Sequence, residues 1–203
     1  MFDARLRPLI DPPLKRLANA LARSGLTANS VTLIGFLFGI AGCLAVAYEA
    51  YLVALGLLTI NRLADGLDGA LARRHGATAF GGYLDIVCDF LIYNALVVAF
   101  ALAQPEVVIP ALFLLLAFAG SGTTFLAFAI LAAKSGQNHE RQGKKSFYYL
   151  EGLAEGTETI VFFALCLLFP AWFGYLAWAF AGLCALSVIG RVLAAWRAFG
   201  KGI

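Results

Sequence analysis

Four aspartates lie within apolar stretches of this 203-residue chain, at Asp65, Asp68, Asp85 and Asp89. On insertion scales, a carboxylate at the centre of a membrane helix costs roughly 2.5–3.5 kcal/mol. A cation bound by the carboxylates would offset this cost. Carboxylate oxygens are ligands that Mg²⁺ and Mn²⁺ prefer, and the four carboxylates together could hold two ions. The sequence therefore predicts a divalent-metal site at a membrane boundary.

The spacing of the four aspartates predicts that they meet. Asp65 and Asp68 stand at i and i+3, and Asp85 and Asp89 at i and i+4, so each pair projects from one face of a helix. The segment that joins the pairs is centred near Ala77. If two antiparallel helices run from a turn there, the carboxylates lie at one depth, roughly 12–18 Å along the helices.

A purely structural alternative is a set of buried ion pairs, in which Arg62 or Arg191 matches some of the aspartates. Two arginines would leave at least two of the four carboxylates unmatched. Gly66 and Gly69 let a bulky polar ligand approach the helix backbone, or else serve as small residues in helix packing. Arg73, one turn further along, could bind a diphosphate oxygen by a forked contact.

Composition indicates an all-α integral membrane protein in a single membrane domain, 1–203. The chain is 62% apolar and 13% charged, whereas a soluble domain is about 45–50% apolar and about 25% charged. Residues 1–25 predict a juxtamembrane amphipathic surface helix, because apolar and basic residues alternate at helical spacing. Residues 26–203 predict a six-helix bundle. The six predicted transmembrane helices cover approximately 30–49, 51–73, 82–103, 106–134, 147–169 and 171–196.

The basic residues predict the orientation of this bundle. They concentrate before the first span, at the junctions of spans 2–3 and 4–5, and toward the C-terminus. The positive-inside rule then places both termini and the aspartates on the cytoplasmic side of the membrane. The four cysteines fall in apolar stretches without metal-ligand spacing, and we expect them to be small buried hydrophobes.

A second polar cluster lies between predicted spans 4 and 5 and continues along span 5. Its basic part is either a solvated loop or a binding surface for a phosphorylated acceptor or anionic lipid headgroups. Its acidic part either pairs with an arginine of the bundle or hydrogen-bonds the hydroxyls of a polar acceptor. The candidate acceptor-binding residues in this cluster are Arg141, Lys144, Lys145, Glu155 and Glu158.

The aspartate segment resembles the signature of the CDP-alcohol phosphotransferases, D-x2-D-G-x2-A-R-x8-G-x3-D-x3-D. Seven residues rather than eight separate the arginine from the second glycine. The segment 26–32 also resembles the family's opening of the first span, with alanine where proline is common. The fixed positions of the signature are filled here by Asp65, Asp68, Gly69, Ala72, Arg73, Gly81, Asp85 and Asp89.

The resemblance implies a phospholipid-synthesising enzyme of the inner membrane, a homodimer that does not act on nucleic acid. It would transfer a phosphatidyl group from CDP-diacylglycerol to the hydroxyl of a small polar acceptor and release CMP, with two Mg²⁺ or Mn²⁺ ions. All four aspartates would bind metal. Asp85 and Asp89 would also be catalytic, with Asp89 serving the metals or acting as general base. The CDP donor would be bound by Asn29, Thr32, Gly69 and Arg73.

Two other functions use intramembrane carboxylates. One is an intramembrane prenyltransferase, which binds diphosphates through paired aspartates in two loops that usually lie far apart in a longer chain, whereas both pairs here fall within 25 residues. The other is a cation or proton carrier. A transferase should release CMP only when donor, metal and acceptor are all present. The sequence leaves the acceptor open among glycerol phosphate, inositol phosphate, serine, choline and other alcohols.

Overall fold

The structure is a computed structural model that describes residues 25–134 and 156–200. All regular structure in these ranges is helical, as the composition predicts. Two short 3₁₀ turns, Pro105–Val107 and Pro170–Trp172, precede the fourth and sixth helices. The helices are α1 (Ala28–Ala47), α2 (Tyr51–His75), α3 (Ala79–Ala103), α4 (Val108–Lys134), α5 (Gly156–Leu168) and α6 (Phe173–Phe199).

Four stretches of the described chain are long and apolar enough to cross a membrane. They are Ala28–Ala47, Ala79–Ala103, Pro105–Lys134 and Pro170–Phe199. The polar helix α2 is not among them, and the described part of the fifth span is the 13-residue apolar helix α5. The count of six spans therefore stays a prediction. The predicted amphipathic helix 1–25 lies outside the described residues except at its last position.

The connection between α2 and α3 is a short turn centred on Ala77, as predicted. Gly76 ends α2 with a φ of 100°, a left-handed conformation that glycine adopts without strain. Thr78 caps α3, because its hydroxyl accepts a hydrogen bond from the backbone N–H of Gly81 at 3.0 Å. The one-residue-shorter spacing of the aspartate motif falls within this part of the chain.

Helix α1 packs against both α2 and α3, while α2 and α3 make little direct contact with each other. Glycines on α1 allow this close approach. A Cβ at Gly35 would stand 2.7 Å from the Cβ of Ala64 on α2, and a Cβ at Gly39 would stand 2.6 Å from Cδ1 of Ile92 on α3. Small residues let membrane helices approach in this way. As a result, α1 holds the two aspartate-bearing helices side by side with a gap between them.

A core of aromatic and aliphatic side chains fixes the other helices against α3. Phe100 of α3 stacks on Phe173 of α6 with ring centroids 4.3 Å apart, and Phe162 of α5 stacks on Phe180 of α6 at 4.5 Å. Such pairs stabilise beyond the area they bury. All four cysteines are buried and free of disulfides, as expected. The aspartates of α3 thus lie between the α1–α2 pair and this core.

We expect Gly35→Ala to destabilise the protein by about 1–3 kcal/mol, since the new methyl group meets a Cβ that cannot rotate away. Thermal unfolding in detergent should show a lower melting temperature. Gly56→Ala is the matched control, because a Cβ at this helical glycine meets nothing within 4 Å. Adding Ala64→Gly to Gly35→Ala should restore stability. Equal melting temperatures for Gly35→Ala and Gly56→Ala would contradict the proposed role of this contact.

Candidate active site

Three of the four aspartates form a cluster between α2 and α3. One carboxylate oxygen from each of Asp65, Asp68 and Asp85 lies within 4.8 Å of the others. Asp68 is buried, and its two partners are partly buried. The turn at Ala77 makes the helices antiparallel, which brings the i, i+3 pair of α2 level with the start of α3. This carboxylate cluster is the centre of the candidate site.

The buried Asp68 is held by a hydroxyl from α1. Thr32 Oγ1 donates a hydrogen bond to Asp68 Oδ2 at 2.5 Å, and also lies 3.1 Å from the carbonyl oxygen of Ala28 one turn earlier. Bonds from hydroxyls to carboxylates are short and strong. Thr32 was predicted to contact the CDP donor; in the structure its hydroxyl orients a carboxylate of the cluster.

The expectation that all four carboxylates meet is corrected at Asp89, which is not part of the carboxylate cluster and is bound by Arg62. Arg62 Nη2 donates to Asp89 Oδ1 at 2.6 Å, and Nη1 lies 3.8 Å from Asp65 Oδ2. Arg62 is one turn further from Ala77 than Asp65, which places it opposite Asp89 on the antiparallel helix. The structural alternative of an ion pair therefore applies to Asp89 and, at the longer distance, to Asp65, while Asp65, Asp68 and Asp85 remain together.

A cavity of about 380 Å³ opens beside the cluster, lined by the start of α1, the end of α2 and the start of α3. Three of the four residues predicted to bind the CDP donor line it: Asn29, Thr32 and Gly69. Arg73 lies beside Gly69, with Nη1 3.4 Å from where a Cβ at that glycine would stand. A Cβ at Gly81 would stand 3.0 Å from Asn29 Oδ1, so glycine keeps this wall open.

A second cavity, of about 230 Å³, lies on the other side of the cluster among α3, α4, α5 and α6. Asp85 lines both cavities, and Asp89 lines this one. Arg191 of α6 is buried in its wall and donates from Nη1 to the carbonyl and hydroxyl oxygens of Ser121, both at 2.9 Å. Here the carboxylates face a cation and several hydrogen-bonding groups.

Sequence reasoning treated Arg191 only as an ion-pair partner and did not single out Ser121 or Thr159, which also line this cavity. The sequence pattern that indicates a function for Arg191 is its position as a cation inside an apolar span, since ionisable residues in membrane spans are commonly functional. Glu158 lies in the first turn of α5 and is partly buried. Among the described residues, its neighbour Thr159 lines the cavity instead. The other predicted acceptor residues, Arg141, Lys144, Lys145 and Glu155, lie outside the described residues.

The carboxylate cluster fits a divalent cation. Mg²⁺ and Mn²⁺ take oxygen ligands and usually keep positions for water and substrate phosphates. Asp65, Asp68 and Asp85 supply such oxygens from two helices at mutual distances that one ion can bridge. The cluster is therefore suited to a metal-dependent enzyme that acts on phosphate-linked substrates, because ions held by a few carboxylates commonly also bind substrate phosphates.

Comparison with known proteins identifies the family within this class. The family model for CDP-alcohol phosphatidyltransferase matches residues 25–189, which include both helices of the cluster. The chain belongs to the CDP-alcohol phosphatidyltransferase family, a family of transferases of phosphate groups. The resemblance in the aspartate motif is thereby confirmed, and this favours a phosphotransferase over a prenyltransferase or an ion carrier.

Relatives agree with this assignment. The chain is 47% identical over 193 residues to the inner membrane protein YnjF of Escherichia coli, covering 95% of this chain and 94% of that protein. It is 41% identical over 93 residues to archaetidylinositol phosphate synthase of Pyrococcus horikoshii, covering 43% of this chain and 47% of that enzyme. An inner membrane relative and four membrane-length apolar helices together indicate a membrane protein.

Solved structures of Mycobacterium tuberculosis phosphatidylinositol phosphate synthase share the fold. The structure with CDP-DAG bound superposes with a TM-score of 0.71 at 23% sequence identity, covering 90% of this chain and 93% of that one. The structure of the same enzyme with manganese and citrate also gives a TM-score of 0.71, at 24% identity, covering 90% and 88% of the two chains.

We expect Thr32→Val to weaken Mn²⁺ binding, because it removes the hydroxyl that orients Asp68 while keeping the shape of the side chain. Loss of a partner that orients a metal ligand typically reduces affinity by about 10–100-fold. The rise in melting temperature on adding Mn²⁺ measures this binding. Thr59→Val is the control, since the exposed Thr59 hydroxyl only bonds the carbonyl oxygen of Leu55. Equal Mn²⁺ responses in the two variants would contradict the role given to Thr32.

Proposed function

We propose that this chain transfers a phosphatidyl group from CDP-diacylglycerol to the hydroxyl of a small polar acceptor and releases CMP. The observation that carries the proposal is the position of Asp85, which lines both cavities and belongs to the carboxylate cluster between them. A two-substrate transfer needs the donor phosphorus and the acceptor oxygen to meet at one point. Family membership and the CDP-DAG bound by a structural relative support the identity of the donor.

The donor's cytidine diphosphate is assigned to the 380 Å³ cavity. Gly69 leaves the backbone of α2 open to a diphosphate, and Arg73 beside it offers a forked donor for the phosphate oxygens. Asn29 supplies a polar side chain on the opposite wall. The acyl chains would lie among the apolar outer faces of the bundle, which explains why the enzyme is a membrane protein. By the positive-inside rule, the headgroup would enter from the cytoplasmic side.

The carboxylates of the cluster would hold the catalytic metal. Mg²⁺ or Mn²⁺ bound by Asp65, Asp68 and Asp85 would neutralise diphosphate charge and stabilise the departing CMP. The family resemblance implies two ions, and the cluster accounts for the ligands of one. Manganese in a structural relative supports this choice of metal.

The transfer forms one phosphorus–oxygen bond and breaks another. The acceptor oxygen bonds to the phosphorus that carries diacylglycerol, and the bond from this phosphorus to the oxygen of CMP breaks. The proton of the acceptor hydroxyl passes to a carboxylate. Asp89 and Asp85 both line the second cavity and are the candidates for this role, with Asp89 as the general base.

The acceptor is assigned to the 230 Å³ cavity beside these two carboxylates. Asn94, Ser121 and Thr159 offer hydrogen bonds to hydroxyl groups, and Arg191 offers charge to an anionic group. A small polyol that carries a phosphate satisfies both features. This class of acceptor is supported by two kinds of relative, archaetidylinositol phosphate synthase and phosphatidylinositol phosphate synthase.

The remaining assignments come from the sequence and, for the homodimer, from the family resemblance. Arg141, Lys144, Lys145, Glu155 and Glu158 are retained as further candidates for acceptor binding from the loop between spans 4 and 5 and the start of span 5. The chain is proposed to form one membrane domain over 1–203 and to assemble as a homodimer.

Asp68→Asn should abolish turnover while leaving the protein folded. The amide keeps the size of the side chain but removes a charge that the metal and its substrate phosphate require. Purified protein is given labelled CDP-diacylglycerol, Mn²⁺ or Mg²⁺ and a panel of acceptors, and CMP release is measured. Glu106→Gln, an exposed acid in the Pro105–Val107 turn, is the control and should retain activity. Normal turnover by Asp68→Asn would reject the metal role, and ion flux without CMP release would favour a carrier.

Arg191→Gln should raise the KM for a phosphorylated acceptor by about 10-fold or more, since a hydrogen bond to a charged group contributes roughly 1.5–3 kcal/mol. The KM for CDP-diacylglycerol should change little, because Arg191 lines only the acceptor cavity of the two. Ser121→Ala, which removes one partner of Arg191, should have a smaller effect in the same direction. An equal rise in both KM values, or a preference for an uncharged acceptor in the wild type, would contradict the phosphorylated-acceptor assignment.

A further inference from the structure

The side chain of Arg62 is fixed from three sides inside the bundle. Its Nη2 donates to Asp89 at 2.6 Å, its Nη1 to the hydroxyl of Tyr93 at 2.9 Å, and its Nε to Asn61 Oδ1 at 2.9 Å. Only 16% of the side chain is exposed. The guanidinium carbon also lies 5.4 Å from the centroid of the Tyr93 ring, within the range of cation–π attraction. Because its contacts point in different directions, the planar guanidinium has one well-defined orientation.

This orientation is tied to the backbone of a third helix. The buried Asn61 donates from Nδ2 to the carbonyl oxygen of Gly35 on α1 at 2.9 Å, while its Oδ1 accepts from Arg62. Gly35 lies at the close approach of α1 and α2. The guanidinium is therefore held by the packing that also sets the separation of the two aspartate-bearing helices.

Arg62 lies between Asp89 and the carboxylate cluster. It binds Asp89 at 2.6 Å, and its Nη1 is 3.8 Å from Asp65, a member of the cluster. Arg62 lines neither the donor cavity nor the acceptor cavity, whereas Asp89 lines the acceptor cavity. Arg62 is thus placed to act on the site through Asp89 and not by touching either substrate.

We propose that Arg62 is a positioning residue that withholds Asp89 from the metal-binding carboxylates and holds it at the acceptor cavity. The inference rests on the proposed function, since it assigns different tasks to the aspartates of one site. Without Arg62, the Asp89 carboxylate would lose its counter-charge beside Asp65 and Asp85. A divalent cation at the carboxylate cluster would then offer the Asp89 carboxylate a replacement positive charge. Cation affinity rises with the number of carboxylate ligands and their charge.

Replacing Arg62 should change Mn²⁺ affinity in one direction if Arg62 positions Asp89, and in the opposite direction if its role is only structural. In the purified chain without substrates, Arg62→Gln should bind Mn²⁺ about 10-fold more tightly than the wild type, or bind a second equivalent, as expected for a gained carboxylate ligand. Turnover by the same variant should fall, because Asp89 is no longer held beside the acceptor. Titration calorimetry and the electron paramagnetic resonance signal of free Mn²⁺ measure the binding without reference to activity.

A double-mutant cycle separates positioning from simple loss of positive charge. Asp89→Asn alone should change Mn²⁺ affinity less than Arg62→Gln does, and the gain caused by Arg62→Gln should disappear in the Asp89→Asn background. An equal gain in Mn²⁺ affinity in the wild-type and Asp89→Asn backgrounds would show that Arg62→Gln had only relieved charge repulsion. This result would overturn the inference. Weaker Mn²⁺ binding by Arg62→Gln would overturn it as well, because that is the result expected of a merely structural arginine.

Two further measurements complete the test. Arg62→Lys keeps the charge but cannot contact Asp89, Tyr93 and Asn61 together, so its Mn²⁺ affinity and turnover should lie between those of the wild type and Arg62→Gln. It also provides the comparison if Arg62→Gln does not fold, and wild-type values for both quantities would then contradict the inference. Wild-type protein that binds no Mn²⁺ would overturn the proposed function too, whereas normal Mn²⁺ binding without the coupling overturns only the role of Arg62.

Discussion

The close approach of α1 to its two neighbours is the constraint on which the rest of the site depends. Glycine at position 35 lets the backbone of α1 come against Ala64, and glycine at position 39 does the same against Ile92. Since α2 and α3 make little direct contact, the width of the gap between them follows from this packing. The gap contains the carboxylate cluster, and α1 also supplies Thr32, the hydroxyl that orients Asp68. A change in helix packing is therefore also a change in site geometry.

Charge divides the aspartates into two groups within this gap. Asp65, Asp68 and Asp85 stand together with one arginine, Arg62, 3.8 Å from Asp65, and three carboxylates beside one cation favour an added divalent ion. Asp89 has an arginine 2.6 Å away and needs no metal to offset its charge. Four like residues in one short motif can thus perform different tasks, because the environment of each carboxylate, more than its identity, determines its role.

The sequence predicted the parts of this arrangement that depend on local spacing. The turn at Ala77 and the convergence of carboxylates follow from helical periodicity on either side of a short polar connection, although four carboxylates were expected to meet and three form the cluster. Arg62 was expected to pair with some of the aspartates, but its choice of Asp89 could not be predicted, because that choice depends on how α2 is rotated relative to α3, and α1 sets this rotation through tertiary contacts. The contact between Arg191 and Ser121 was missed for a similar reason, since 70 positions separate them in the chain.

Helix α3 connects the two halves of the proposed reaction. Its first turns line the cavity assigned to the donor, and its next turns line the cavity assigned to the acceptor, with Asp85 common to both. On one side α3 is held by Gly39 of α1, and on the other by the stacking of Phe100 on Phe173. A shift of α3 toward either neighbour would widen one of the two cavities and would also move Asp85, which lines both. In the proposed reaction, rigid packing of this helix on both faces keeps the donor and the acceptor at the same carboxylate.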